Sequence, residues 1–80
     1  MSDGTLDLLA AALRRVAPEV DLEVVDHGAD LLDELDLDSM DFLTLVEELH
    51  QRAGVEIPEE DYAHLDSVNG IVEYLRNHST

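Results

Sequence analysis

The feature that most constrains the fold is an amphipathic stretch in the middle of the chain, residues 39–53, "SMDFLTLVEELHQRA". Its apolar residues, spaced at i, i+3, i+4 and i+7, are Phe42, Leu45, Val46 and Leu49. This spacing indicates a helix with one face on a core. Ser39 is a preferred N-cap residue type, and Gly54 can end the helix. The sequence therefore predicts a helix over 39–53 with Ser39 as its N-cap.

Three further segments have helical patterns. Residues 5–17 carry apolar side chains at helical spacing between Thr5, a candidate N-cap, and Pro18. The helix is expected to end there because the residue before a proline avoids the α conformation. Residues 67–78 have a second such stripe, and Ser67 is placed to cap it. The intervening "EIPEEDYAHL" predicts a short helix.

Residues 18–38 form a long connector without one clear period. Within it, "VDLEVVD" alternates apolar and acidic residues, which is compatible with a short strand. The later "LLDEL" is compatible with one helical turn. Pattern alone therefore predicts three main helices, one short helix and a long first connector.

Composition limits both the size of the core and the kinds of partner. A chain of 80 residues is enough for one small domain, and with 45% hydrophobic but only 4% aromatic residues its core must consist mainly of Leu, Val and Ile. Twenty acids against four Lys or Arg give a formal net charge of −16. That charge disfavours nucleic acid and anionic membrane surfaces. It favours protein partners that carry basic patches.

Several kinds of chemistry are excluded by missing residues. The chain has no cysteine, which removes disulfides, thiolate catalysis and Cys-ligated zinc. The four histidines are scattered, with no pair at i, i+4, and the acidic run lacks the glycine that a calcium-binding EF-hand loop needs. We therefore predict no metal site. The start has no secretory pattern and no apolar run is long enough for membrane insertion, so we expect a cytoplasmic protein.

Ser39 stands in the acid-rich stretch "DLDSMDF", residues 36–42, and three roles are open to it. A nucleophilic serine needs a base and an oxyanion hole, but no nucleophile-elbow glycines flank it, so we do not expect an enzyme. A helix cap is the commonest role of a serine at such a position. An attachment point is the third role, because a helix N-terminus favours a phosphodiester anion. Local sequence leaves cap and attachment point open.

Residues 35–75, "LDLDSMDFLTLVEELHQRAGVEIPEEDYAHLDSVNGIVEYL", resemble the acyl carrier proteins over three of that family's helices without a gap. Asp38-Ser39-Met40 is similar to the family's Asp-Ser-Leu, and "EIPEED" and the Ser-Val start of the last helix follow at the right distance. The resemblance implies an all-α four-helix bundle, three main helices plus one short helix, with a long loop between the first and second. It implies a single carrier domain over residues 1–80 that catalyses nothing.

The resemblance also implies a cofactor and partners. A phosphopantetheinyl transferase, using magnesium, would attach 4′-phosphopantetheine from coenzyme A to Ser39. The thiol of this arm would carry acyl intermediates as thioesters for fatty-acid, polyketide or related biosynthesis, and acyl-loading and acyl-processing enzymes would dock through basic patches on a monomeric carrier. Two alternatives stay open: a D-alanyl carrier protein, and a non-catalytic acidic helical adaptor in which Ser39 is only a cap.

The resemblance implies roles for individual residues at the positions that match the family. Asp38 would help the transferase to engage the site, and Met40 would be the apolar contact beside the serine. The acids expected to recognise partners are Asp36, Asp41, Glu47 and Glu48. The residues expected to line an acyl pocket are Leu32, Val46, Leu49, Tyr62, Leu65 and Ile71.

Four positions depart from the family pattern. Asp36 stands where members often have glycine, so the turn must form without glycine's freedom or with the aspartate in a left-handed conformation. Thr44 replaces an acid that is usual in fatty-acid carriers, and Phe42 is bulkier than the usual residue. Tyr62 replaces a commonly small residue near the pocket. We therefore expect long acyl chains to be sheltered poorly.

Overall fold

The computed structural model describes residues 4–78, which fold as helices joined by turns, with no strand in that range. The elements, in chain order, are α1 (Thr5–Leu13), α2 (Leu31–Glu34), α3 (Ser39–Ala53), a 3-10 helix (Glu59–Leu65) and α4 (Val68–His78). α1, α3 and α4 are the main helices, and the loop between α1 and α2 is long. The predicted all-α class and helix arrangement are confirmed, and α2 adds the single turn expected within "LLDEL".

α1 is shorter than predicted. Gly4, in a left-handed conformation with φ of 84°, holds the N-cap position that was expected for Thr5. The α-helix ends at Leu13, and the next turns tighten, with Arg15 N donating to Ala12 O at 3.1 Å. Such i→i−3 bonds are common where a helix finishes, and Pro18 prevents its continuation. The buried face is the one that the spacing predicted.

The connector contains turns, and the strand considered for "VDLEVVD" does not form. Its aspartates bind the local backbone instead: Asp21 Oδ1 accepts from Glu23 N and Asp26 Oδ1 accepts from Gly28 N, both at 2.9 Å. Bonds of this kind compete with a strand ladder, which explains why the alternating pattern misleads here. The end of the connector is fixed to the region before α4, since Leu31 N donates to Asp66 O at 2.7 Å.

α3 has the predicted bounds but a different cap. Asp38 is the N-cap: its Oδ1 accepts from Asp41 N at 2.9 Å, while Asp41 Oδ2 accepts from Asp38 N at 3.4 Å. This reciprocal pair is a capping box. The prediction that Ser39 is the N-cap is wrong, because Ser39 is the first residue of the helix. Gly54, with φ of 68°, ends α3 as expected.

α4 packs closely against the 3-10 helix. Ser67 Oγ accepts from Gly70 N at 3.0 Å, which confirms Ser67 as the cap. A Cβ added to Gly70 would collide with the backbone carbonyl oxygen of His64. Glycine therefore lets the two elements approach. The buried core contains Leu9, Ala12, Leu13, Leu31, Leu45, Val46, Leu49, Val55, Leu65, Val68, Ile71, Val72, Tyr74 and Leu75. As composition predicted, Leu, Val and Ile dominate it.

Candidate functional site

Ser39 stands exposed at the start of α3 with its hydroxyl unused. Asp38 caps the helix, so the serine side chain makes no hydrogen bond with any residue of the described range 4–78. The first N–H groups of a helix lack intrahelical acceptors and carry positive potential. The local fold thus presents one free hydroxyl where an attached anion is favoured.

The turn before Ser39 is built around Asp36. Its φ of 54° makes it the single non-glycine residue with positive φ in the described range. Aspartate tolerates this left-handed region better than most residues. The backbone is held by Leu37 N, which donates to Leu32 O at 2.9 Å. Of the two conformations offered for the missing glycine, the left-handed aspartate is the one adopted, and it leaves the Asp36 carboxylate exposed.

The four acids predicted to recognise partners are not equivalent. Asp36 is exposed, whereas Asp41 is half-buried and occupied by the capping box. Glu48 is paired within the molecule: its Oε1 lies 2.8 Å from Arg15 Nε and 3.9 Å from an Arg52 nitrogen, with 17% of the side chain exposed. Glu47 is exposed on another face of α3. Asp36 and Glu47 are thus the more available of the four.

Two apolar side chains project from the first turns of α3. Met40 is 71% exposed and Leu43 is 48% exposed. Met40 was predicted from the resemblance, while Leu43 was missed. The signal that could have found it is its spacing, four residues after Ser39 and therefore on the same helix face. These side chains place an apolar surface next to the free hydroxyl.

A solvent-open groove, here called the α3 groove, lies between α3 and the segment 56–62, with a volume of about 540 Å³. It is lined by Leu43, Val46, Glu47, His50, Glu56, Ile57, Pro58 and Tyr62. Val46 and Tyr62 are the members of the predicted acyl pocket that it contains.

The other predicted pocket residues lie elsewhere. Leu49, Leu65 and Ile71 are at most 1% exposed within the packed core, and Leu32 is half-buried on α2 outside the groove. The groove residues missed from the sequence depend on how segment 56–62 crosses α3. That crossing is a non-local feature which helical spacing does not encode.

Phe42 and Tyr62 meet beside the groove. Their rings form an edge-to-face pair with centroids 5.6 Å apart and planes at 77°. This arrangement is a favoured geometry for aromatic pairs. The two bulky departures from the family pattern therefore pack against each other between α3 and the 3-10 helix.

Two side-chain contacts hold the segments that surround the α3 groove. His50 Nδ1 lies 2.9 Å from Val55 O, and Tyr74 OH donates to Asp61 Oδ2 at 2.7 Å. Burial, and then the bond and charge of Asp61, raise the pKa of Tyr74 to about 12. A neutral tyrosine therefore links α4 to the 3-10 helix across the ordinary pH range.

The remaining histidines do not assemble a site. His27 Nε2 lies 2.6 Å from Leu22 O, and His78 Nδ1 lies 2.9 Å from Tyr74 O. Within residues 4–78, no group of three or more His, Asp or Glu side chains is placed to hold a metal ion. No helix in that range is long and apolar enough to span a membrane.

Comparison with known proteins identifies the kind of molecule. The profile of a family described as "Phosphopantetheine attachment site" matches residues 6–75. The match spans both sides of Ser39 and all of the helical elements except their outermost residues. The fold and the match together define a phosphopantetheine-dependent carrier, which is a non-catalytic class of protein.

Comparison with curated relatives narrows this class of carriers to one family. An acyl carrier protein of Lactobacillus johnsonii is 36% identical over 59 residues, covering 74% of each chain. One of Syntrophobacter fumaroxidans is 39% identical over 56 residues, 70% of this chain and 69% of the relative. One of Rubrobacter xylanophilus is 34% identical over 61 residues, which cover 76% of this chain and 75% of the relative. The chain belongs to the acyl carrier protein family, as its resemblance predicted.

Family membership implies a covalently attached 4′-phosphopantetheine. The start of α3 fits such a group, because the Ser39 hydroxyl is exposed and unengaged while Asp38 supplies the cap. The α3 groove begins one helical turn further on, at Leu43. The arm would thus leave from a helix N-terminus beside an open, partly apolar surface.

Proposed function

We propose that Ser39 is the attachment residue and that the chain carries acyl intermediates as thioesters on the arm bound there. The observation that carries this proposal is the exposed Ser39 hydroxyl, left free by the Asp38–Asp41 capping box. When bound, the arm supplies the thiol that this cysteine-free chain lacks. The protein's own residues hold the attachment point rigid and accessible.

Attachment is a phosphoryl transfer on which this chain acts only as acceptor. The Ser39 hydroxyl loses its proton and its oxygen bonds to the phosphorus that bears pantetheine. The diphosphate bond of coenzyme A breaks, and the nucleotide bisphosphate leaves. A phosphopantetheinyl transferase with magnesium provides this chemistry. The new phosphodiester is favoured at the start of α3 by the first-turn N–H groups and the helix dipole.

The surface around Ser39 supports docking onto basic enzymes. The net charge of −16 favours steered encounters, and the exposed Met40 and Leu43 offer an apolar contact next to Asp36 and Glu47. Asp38 contributes chiefly by capping α3, which keeps the serine in place. Transferases and acyl-processing enzymes with an apolar spot ringed by basic side chains are the partners that this surface suits.

The finer assignment is to fatty-acid, polyketide or related biosynthesis, with the chain acting as one cytoplasmic, monomeric carrier domain over residues 1–80. A D-alanyl carrier would share the fold and the Asp38-Ser39 pair but carry a different cargo. The adaptor alternative differs more sharply, since it requires Ser39 to stay unmodified.

Loading in vitro tests the proposal. Apo protein is incubated with coenzyme A, magnesium and a promiscuous phosphopantetheinyl transferase, and its intact mass is measured. We expect one phosphopantetheine addition in the wild type and none in Ser39→Ala. Ser67→Ala is the matched control, because it removes a serine at the start of α4 and should still load. A folded wild type that gains no mass would refute the proposal and favour the adaptor.

A further inference from the structure

Met40 carries the only sulfur atom of the described residues 4–78. The chain has no cysteine, and its second methionine, Met1, lies outside that range. A thioether can be oxidised, and its susceptibility to oxidants follows its exposure. Met40 is 71% exposed, so small oxidants from solvent reach its sulfur. Before the arm is attached, oxidation of sulfur within the described part of the chain therefore has a single target.

Met40 immediately follows Ser39, the proposed attachment residue. Consecutive Cα atoms are about 3.8 Å apart, so an enzyme that closes on the Ser39 hydroxyl also covers the Met40 side chain. Leu43, 48% exposed, follows Met40 by three residues and extends the apolar surface along the helix. The family's Asp-Ser-Leu has leucine at this position, which is apolar but has no sulfur. Methionine supplies a similar apolar contact and adds a group that can be oxidised.

Oxidation converts this apolar contact into a polar one. The sulfoxide oxygen accepts hydrogen bonds, and it must keep water or find a donor when a partner covers it. The neighbouring side chains of Asp38 and Asp41 are carboxylates, which accept hydrogen bonds and donate none. One turn further on, the Thr44 hydroxyl already donates to Met40 O at 3.1 Å. A partner that docks on Met40 would therefore have to bury a polar oxygen for which these neighbours offer no donor.

The fold does not depend on the Met40 side chain. This side chain lies outside the buried core, and the Asp38–Asp41 capping box starts α3 without it. One oxygen added to an exposed side chain leaves both features in place. Oxidation should therefore act on docking rather than on stability, whereas oxidation of a buried methionine disrupts a core.

We propose that Met40 is a redox-modification site, at which oxidation by hydrogen peroxide weakens the docking of enzymes onto the Ser39 end of α3. Its effect rests on the proposed function, because docking is measured through the loading of Ser39. In the reaction, a lone pair of the Met40 sulfur attacks one peroxide oxygen, a sulfur–oxygen bond forms and the oxygen–oxygen bond breaks. The sulfur is oxidised by two electrons to the sulfoxide, and the second oxygen leaves as water. Methionine sulfoxide reductases reverse the change, as two thiols become a disulfide and the sulfoxide oxygen leaves as water.

Loading of oxidised apo protein tests this role of Met40. Apo protein is treated with hydrogen peroxide, the peroxide is removed, and peptide mass mapping locates each added oxygen. Loading rates with a promiscuous phosphopantetheinyl transferase are then measured over a range of carrier concentrations. We expect oxidation of Met40 to raise the KM for the carrier by roughly five- to thirtyfold, through loss of an apolar contact, and to change kcat little. Circular dichroism should show unchanged helix content, and treatment with the reductases should restore KM.

Two variants at this position separate Met40 from other effects of peroxide. Met40→Leu keeps an apolar side chain but has no sulfur there, so peroxide treatment should leave its KM at that variant's own untreated value. It retains Met1, and the same treatment therefore also controls for oxidation of that residue. Met40→Gln places a polar amide at the position, and it should have a raised KM with or without peroxide.

The outcomes distinguish the two proposals. Oxidation mapped to Met40 that leaves KM unchanged would overturn the modification site and leave the loading of Ser39 standing. An equal rise of KM in peroxide-treated Met40→Leu, or a loss of helix when the wild type is oxidised, would overturn it too. An untreated wild type that gains no mass from coenzyme A would overturn the proposed function and, with it, the role of Met40.

Discussion

Replacing Gly70 with alanine should have two opposing effects on stability, a gain from helix propensity and a loss from packing. Gly70 lies within α4 (Val68–His78), and an alanine inside a helix is ordinarily more stable than glycine by about 0.8–1.0 kcal/mol. An ideal Cβ at this position, however, would collide with the His64 carbonyl oxygen. The obstructing atom belongs to the backbone of the 3-10 helix, so it cannot move aside by changing a rotamer. Only separation of the two elements relieves the clash.

The structure therefore predicts that Gly70→Ala destabilises the protein, whereas helix propensity alone predicts stabilisation. Overpacking of a tight contact costs about 1–3 kcal/mol, and a backbone obstacle places this site toward the upper part of that range. After subtracting about 1 kcal/mol for propensity, we expect Gly70→Ala to lower the free energy of unfolding by about 1–2 kcal/mol. That is a substantial fraction of the stability of a small domain.

Urea unfolding followed by helical circular dichroism measures this difference. Gly28→Ala is the matched control, because its added Cβ would lie 3.6 Å from Asp26 Oδ1, an ordinary contact. Gly28 has no positive φ to strain, and its replacement should be neutral or stabilising by about 0.4–1 kcal/mol through the unfolded chain. A Gly70→Ala variant as stable as the wild type, or more stable, would refute the packing argument.

Two further predictions follow from the cap and from Tyr74. Asp38→Ala should lower the free energy of unfolding by about 0.5–2 kcal/mol, because Asp38 caps α3. Ser39→Ala should leave the urea midpoint nearly unchanged. The opposite ranking would mean that the serine is the cap. Tyr74, whose pKa is raised to about 12 from an unfolded value of 10.0, should contribute stability fully below pH 10 and lose it as pH rises from about 10 to 12. Ultraviolet titration of tyrosinate and alkaline unfolding check this, and Tyr74→Phe should lack that alkaline phase.

The sequence was sufficient to predict a helix where its end signals and its apolar spacing agree. The apolar stripe of 39–53 and Gly54 correctly located both ends of α3. It was insufficient where adjacent residues compete for one role. Aspartate and serine are comparably good caps, so residue preference could not choose between Asp38 and Ser39. The deciding signal is Asp41, three residues after Asp38, which completes the reciprocal capping pair.

Non-local contacts explain the other differences. Alternation in "VDLEVVD" predicts a strand only if another strand is present to pair with it. None forms in the described residues, and Asp21 and Asp26 bind nearby backbone N–H groups instead. The acyl-pocket prediction came from the resemblance, which does not encode how segment 56–62 crosses α3. Of the predicted residues, Val46 and Tyr62 line the α3 groove together with Leu43, whereas Leu49 and Ile71 lie in the core. The acyl pocket itself stays a prediction.

Several acids of this acid-rich chain have structural roles, although the sequence predicted the acids around Ser39 chiefly as a docking surface. Asp38 and Asp41 cap α3, Glu48 joins α3 to Arg15 beyond α1, and Asp61 anchors Tyr74. Neutralising any of these would remove a structural contact as well as a charge. Weaker binding in such a variant would therefore not establish a docking contact. Asp36 and Glu47 are better probes: both are exposed, and no ion pair holds them within residues 4–78. Since Asp36 adopts φ of 54°, Asn is the replacement that removes its charge while tolerating the same backbone conformation.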